Sequence, residues 1–454
     1  MTTEQQLPEG WKKTTLGEIS IVKMGQSPNG KSYNKEKEGY LLIGGASDLG
    51  DIYPSPKQYT NEATKLSKAN DIIICIRATI GRLNLSDKVY CLGRGVAGIE
   101  VNENIETKFI WYSLMNNEAY LLKNSTGTTF QQISSPTLKK LPIIYPTSKE
   151  AQQAIVNKIE SLFDEIDEGI GRLKTAAQQI QQYRQSLLKN AFNGELTKEW
   201  RSKHADTLPS ENELLAQIQT TREQHHAQQL SDWQTAVSQW EQNGKEGKKP
   251  SKPKAPTQAV KFEDNFADLP SGWIWGKLSD LGELARGKSK HRPRNDKKLF
   301  GGKYPFIQTG EVRAANRIIK KYEQTYSEFG LEQSKLWQKG TLCITIAANI
   351  AETAFLGFDA CFPDSIVGFS ASKVVLPEYI ELFIKSARTK IESYAPATAQ
   401  KNINLNTLEN LIVPYCSLTE QTQIVAILES KLTACDQLAD ELAKQLKQAE
   451  LLKC

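Results

Sequence analysis

The strongest constraint on this 454-residue chain is that it is written twice. Leu7-Pro8-Glu9-Gly10-Trp11 returns as Leu269-Pro270-Ser271-Gly272-Trp273, 262 positions on (272 against 10). Leu16, Glu18 and Ile19 match Leu278, Asp280 and Leu281 at that offset. The segment 91–98 lies opposite 361–368 at an offset of 270, as do Thr128 and Ile133 opposite Thr398 and Ile403. Gln152, Ile155 and Val156 match Gln421, Ile424 and Val425 at 269. Offsets that drift by only eight (270 against 262) define a duplicated unit with small loop insertions. A repeat of this size governs every later reading of the chain.

Each copy has two parts. The first, about 1–148 and 263–417, mixes short apolar runs with Gly, Pro, Asn and Ser turns, as an α+β globule with its own core does. Segments 71–76 and 341–346 read as buried strands at equivalent places, and 108–122 and 378–394 as short amphipathic helices. The second part is helical. From Lys149 to Phe192, apolar residues recur in steps of three and four from Ile155 to Leu187, and Asn193-Gly194 supplies a C-terminal stop. The second copy runs from Ile424 to Ala449 in the same rhythm. Helices this long need a partner, and the duplicate is the natural one. The expected fold is two α+β globules joined by two long helices that pair as an antiparallel coiled coil, with a pseudo-twofold axis relating the halves.

The divisions expected are therefore 1–148, 149–202, 203–262, 263–417 and 418–454. In the third of these, Ser210 and Glu213 form a capping box that opens a helix to about Gln242. A basic Pro/Gly linker, 243–256, follows, with no means of forming a core.

Most motifs of catalysis fail on context. Gly25–Ser32 matches the phosphate-loop pattern GxxxxGK(S/T), yet no apolar helix follows to hold phosphates on its N-terminus, and the copy at Gly287 lacks the pattern. Gly93-Arg-Gly95-Val-Ala-Gly98 matches GxGxxG but runs into a strand-like segment. The seven cysteines are scattered and never in CxxC, so no zinc site is expected and the thiols read as small core hydrophobes. No Pro-Pro dipeptide exists to build an amino-methyltransferase motif. No uncharged apolar stretch approaches the roughly 20 residues a membrane span needs, and the first residues lack a secretory pattern, so a cytoplasmic protein is expected. The chain is not expected to be an enzyme.

Charge and its placement remain. The net charge of +5 is modest, but Arg286–Lys298 holds seven Lys/Arg against one Asp. Such a run is the footprint of phosphate binding. Expected DNA contacts there are Lys288, Lys290, Arg292 and Arg294, with Arg313 and Arg317 beyond. In the first globule they are Lys31, Arg77, Arg82 and Arg94. Thr128 and Gln131, with Thr398 and Lys401 in the copy, suit the reading of base edges. Two other classes stay open: a coiled-coil adapter without DNA affinity, and a phosphate-loop NTPase.

The ordered set of the repeated Leu-Pro-x-Gly-Trp, the Asp71-Ile-Ile-Ile strand, the Thr126-Gly-Thr-Thr segment, Glu150-Ala-Gln-Gln-Ala-Ile-Val156 and Leu187–Arg201 resembles the specificity subunit of type I restriction–modification enzymes. The resemblance covers nearly the whole chain. It implies that each globule is a target recognition domain reading one half of a bipartite, asymmetric double-stranded DNA site. The helices would set the gap and dock two modification subunits, through Ile155, Ile166, Leu173, Ile180, Trp200, Leu438 and Leu442. S-adenosylmethionine would sit on those subunits, and ATP and magnesium on restriction subunits, none on this chain. Half-sites about one DNA turn apart, roughly 10 bp, suit two such readers. Two features depart from the family: the second helix stops at Cys454 where the first copy continues, and 203–260 is long. Trp200, Trp233 and Trp240 could anchor that extension as a docking arm, or it could be a helical spacer.

Overall fold

The computed structural model describes residues 7–127, 131–247, 249–259, 268–395 and 402–452. By backbone contact the chain divides into two units, Met1–Gly171 with Ala449–Cys454, and Arg172–Gln448.

In the first unit, Ser20–Met24, Val96–Val101, Ile72–Cys75 and Leu83–Leu85 form an antiparallel sheet in that order. The run Ile72-Ile73-Ile74-Cys75 shows no in–out alternation because both faces are covered. Ile72 and Ile74 join Leu16, Ile110, Leu114 and Leu138 in one core, while Ile73 and Cys75 pack with Ile43, Leu49 and Leu92 in another. Each such side chain contributes about 1.5–3 kcal/mol by leaving water. Trp11–Thr15 pairs with Pro142–Pro146, closing the globule where the long helix Lys149–Phe192 begins.

The second unit repeats this plan. Gly282–Arg286, Ile366–Ala371, Leu342–Thr345 and Thr353–Leu356 form the same sheet, extended by the parallel strand Ile318–Ile319. Ile274–Lys277 pairs with Ile412–Tyr415, as in the first ribbon. The expected amphipathic helices are present, but each is broken in two: Thr107–Asn116 with Glu118–Lys123, and Pro377–Ser386 with Arg388–Ser393.

The repeated glutamine has a structural reason. Gln152 is buried at the start of the first long helix, accepting from the Glu106 amide (2.8 Å) and donating to the Pro146 carbonyl (2.8 Å). Gln421 does the same for the second long helix, Leu418–Leu452, with the Leu376 amide (2.9 Å) and the Cys416 carbonyl (2.8 Å). One side chain thus ties each helix to its own globule.

Within the second unit the two long helices run antiparallel. Ile180, Leu187 and Ala191 share a core with Ile424, Leu428 and Cys435, and Arg184 pairs with Asp436. Beyond Gly194, in the left-handed region (φ 81°), the 195–201 segment turns back onto the globule. There Thr197 and Arg201 donate to the buried Glu420 carboxylate (2.7 and 2.9 Å), which also accepts from the Trp273 indole (2.9 Å). The Trp of the second Leu-Pro-x-Gly-Trp is therefore locked by the residues that close the first helix.

The extension differs from its expected form. The capping box at Ser210 and Glu213 is formed, and the helix Glu211–Gln242 buries Leu214 and Ile218 in the core of the second unit. The linker is no free tether, because it runs back along this helix. The Trp233 indole donates to the Pro250 carbonyl (3.1 Å), Trp240 to Gly247 (3.3 Å), and the Ala259 amide to Gln219 (3.0 Å). Lys252 and Lys249 lie over the two indoles. Prolines without amide donors suit an irregular segment laid on a helix.

Candidate nucleic-acid interface

At one end of the main sheet in each unit, a hairpin tip and three loops converge by the same hydrogen bonds. Ile76 N–H donates to Gly95 (3.0 Å) as Ile346 does to Ser365 (3.0 Å). Ile133 donates to Ile76 and Ile403 to Ile346, both at 2.9 Å. Gly25 donates to Val96 and Gly287 to Ile366, both at 2.9 Å. Arg77 bridges Gln132 as Ala347 bridges Asn402. At the tips, Ala78 (φ 58°) and Ala348 (φ 63°) take the left-handed conformation, which costs an L residue of order 1–3 kcal/mol. The same strained position is kept in both copies.

These contacts also explain the two decoy motifs. Gly25 is required because a Cβ would come within 2.2 Å of the Gly93 carbonyl oxygen, and Gly287 meets Phe362 in the same way. Asn29 caps a 3-10 turn, Gly30–Ser32, and a short strand follows rather than the helix a phosphate loop needs. In the GxGxxG segment, Gly93 and Gly95 lie against the backbone of Ile43 and Gly44, and Gly98 against Leu92. The glycines serve close packing.

The expected DNA-contact residues separate into three sets. Arg77, Arg94 and Gln131 lie exposed at the convergent end of the first unit, and neither arginine side chain has a polar partner among the described residues. Lys31 is exposed on its turn. In the second unit Lys288, Lys290 and Arg313 are exposed, and Arg292 donates to the Ser289 and His291 carbonyls (2.6 and 2.9 Å), which fixes its guanidinium at the surface. Asp296 organises this loop. The Lys298 amide and then the His291 ring hold its carboxyl below the usual carboxylate range.

Two arginines make bonds within the fold. Arg82 donates to the carbonyls of Ala46, Leu49 and Gly50 and ties down the 46–50 loop. Arg317 is half-buried between Glu381, which has no exposure, and Glu429. The charge of Arg317 is taken up by these two carboxylates, whereas Arg82 bonds neutral carbonyls and stays exposed. Of the other basic residues of the first globule, Lys23 pairs with Glu100 (2.7 Å). Thr128, Thr398 and Lys401 lie outside the described residues.

Asp364 was not anticipated. It occupies in the second copy the place of Arg94 in the first (364 against 94, offset 270), and both its oxygens accept from Arg294 at 3.0 Å. Arg286 donates to its carbonyl (2.9 and 2.7 Å). The signal was legible as a charge reversal between the copies at a matched position.

The residues expected to dock partners also divide. Ile155 packs onto the first core and Ile180 into the second, where they hold the chain's own fold. Ile166 and Leu173 are half-buried. Trp200 stacks on His204 (4.3 Å between ring centres). Tyr183, Leu438 and Leu442 line an apolar groove between the two helices, and Leu438 is 53% exposed. The indoles of Trp233 and Trp240 are covered by the returning linker, so the docking-arm reading loses two of its three anchors.

The six described cysteines are buried and unpaired, and burial pushes the Cys75 thiol up to about 11. Among the described residues, no group of three or more His, Cys, Asp or Glu is placed to hold a metal ion. No described helix is long and apolar enough to cross a membrane.

The chain is 36% identical over 165 residues to a protein of Methanocaldococcus jannaschii provisionally named the type I restriction enzyme MjaX specificity subunit, covering 36% of this chain and 39% of that one. It is 24% identical to the type I restriction enzyme EcoKI specificity subunit of Escherichia coli K12, over 98% of this chain and 86% of that one. The matched stretches span less than half the length of the first four curated relatives. The crystal structure of the HsdS subunit from Thermoanaerobacter tengcongensis shares the fold, with a TM-score of 0.60 and 16% identity over 98% of this chain and 97% of that one. Residues 8–174 and 270–448 each match the type I restriction modification DNA specificity domain. With both halves of the duplication matched, the chain belongs to the family of type I restriction–modification specificity subunits.

Proposed function

We propose that this chain reads a bipartite, asymmetric DNA sequence, one half with each unit, and performs no chemistry itself. The observation that carries this reading is the duplicated loop cluster: one hydrogen-bonding scaffold, used twice, presents different side chains at its two ends. A shared scaffold fits a shared ligand, and unlike side chains fit unlike half-sites. The exposed Lys288, Lys290 and Arg292 supply phosphate contacts in the second unit, and Lys31 and Arg77 in the first. The groove at Tyr183, Leu438 and Leu442 takes an apolar face of a modification subunit. S-adenosylmethionine, ATP and magnesium belong to partner subunits in this scheme.

The test is binding of the full chain to duplex DNA across a salt series, with and without a modification subunit. The expected log affinity falls linearly with log salt by about 0.9 per phosphate contact. Neutralising Lys288, Lys290 and Arg292 together reduces that slope. Addition of the partner sharpens selection of a two-part site. Absence of salt-dependent binding in both conditions leaves a coiled-coil adapter as the better reading.

A further inference from the structure

An arginine fork donates two parallel hydrogen bonds, and guanine alone offers two acceptors, O6 and N7, side by side in the major groove. A guanidinium held in one orientation loses less freedom when it docks on them. The second unit contains such a group. Arg294 reaches both oxygens of Asp364 at 3.0 Å from Nη2, an approach that one N–H serves. The second Nη2 hydrogen is left to complete a fork with Nη1 or Nε, neither of which makes a hydrogen bond among the described residues. Asp364 is itself fixed, since its carbonyl accepts from Arg286 and its neighbour Ser365 accepts from Ile346 at the sheet end. The pair stands at the solvent surface, 54% and 39% exposed, so a base edge can reach it.

The first unit solves the same place differently. Arg94 stands where Asp364 does, on the 93–95 loop whose Gly95 carbonyl accepts from Ile76. It is exposed and has no polar side-chain partner among the described residues. Arg77 follows Ile76, the residue bonded to Gly95, and stands where the second copy has Ala347. One copy thus carries its arginine on the scaffold loop. The other carries an acid there and brings an arginine to it from the 287–299 loop.

We infer that Arg94 in the first unit and Arg294 in the second are guanine-reading side chains, with Asp364 the positioning residue that aims Arg294. The inference rests on the proposed DNA recognition and deepens it: each half-site carries a guanine at the step these arginines reach. A phosphate contact weakens all sequences alike when removed, whereas a base contact relaxes one position.

The experiment selects duplexes from a randomised library with the full chain and its modification subunit, comparing wild type with Arg94→Ala, Arg294→Ala and Asp364→Asn. Arg294→Ala is expected to erase one guanine preference in one half-site, by roughly five- to hundredfold, and leave the other half-site intact. Asp364→Asn keeps the shape, removes the ion pair and relaxes that same position. Arg94→Ala relaxes a guanine in the opposite half. Thermal unfolding of each variant confirms that it is folded. If the wild type selects a two-part site but the variants lose affinity evenly across all positions, these residues are phosphate contacts and the inference falls. If Asp364→Asn leaves the Arg294 position unchanged, the positioning role falls. Failure of the wild type to select any sequence overturns the DNA-recognition reading beneath it.

Discussion

Arg317 shows how a charge changes meaning once its neighbours are known. Its guanidinium bonds Glu381, a carboxylate with no exposure that also accepts from Lys385 (2.6 Å). Without Arg317 that buried carboxylate keeps Lys385 and loses one charge-assisted hydrogen bond. Arg317→Ala is therefore expected to lower stability by about 1.5–3 kcal/mol in denaturant unfolding. The salt slope of DNA binding stays unchanged. Arg313→Ala, on an exposed side chain four residues away, is expected to do the reverse: within about 0.5 kcal/mol in stability, with a shallower slope. The sequence could not separate Arg82 and Arg317 from Arg77 and Arg94. Their partners lie far along the chain, Leu49 being 33 residues from Arg82 and Glu381 64 from Arg317. Residue type announces a charge, and only the fold says whether that charge is spent.

At the scale of elements, legibility followed periodicity. The helix Lys149–Phe192 was readable to both ends, since an apolar step of three and four persists over its length and Asn193-Gly194 terminates it. The buried strands Ile72–Cys75 and Leu342–Thr345 were readable as unbroken apolar runs. The linker was not, because a segment held by indole-to-carbonyl bonds and lysines over rings leaves no periodic trace. The long-helix seam also hid a distinction. Leu428 is fully buried, whereas Leu438, ten residues on, is 53% exposed in the groove with Tyr183. Leu428→Ala is expected to cost about 2–5 kcal/mol through loss of contact and the cavity left behind. Leu438→Glu is expected to leave unfolding within about 0.5 kcal/mol of wild type and to abolish co-purification with the modification subunit. Retained co-purification would move the docking face elsewhere on the helices.

For the whole molecule, duplication supplies two copies of one scaffold, and the insert makes them unequal. Residues 211–242 were read as a docking arm or a helical spacer. Leu214 and Ile218 are instead part of the second unit's core, and Arg222 pairs with Asp280 (3.0 Å) on the same globule. The second unit therefore depends on a layer supplied by the insert. Leu214→Ala combined with Ile218→Ala removes two fully buried side chains, at about 2–5 kcal/mol each. The loss falls on the unit that contains them. Under the proposed function, denaturant below the main transition then erodes base preference in the half-site read by the second unit first. The half-site read by the first unit keeps its preference to a higher concentration. Loss of both preferences at one concentration would mean that the insert supports the molecule as a single cooperative body, and the second unit's core would not be its particular charge.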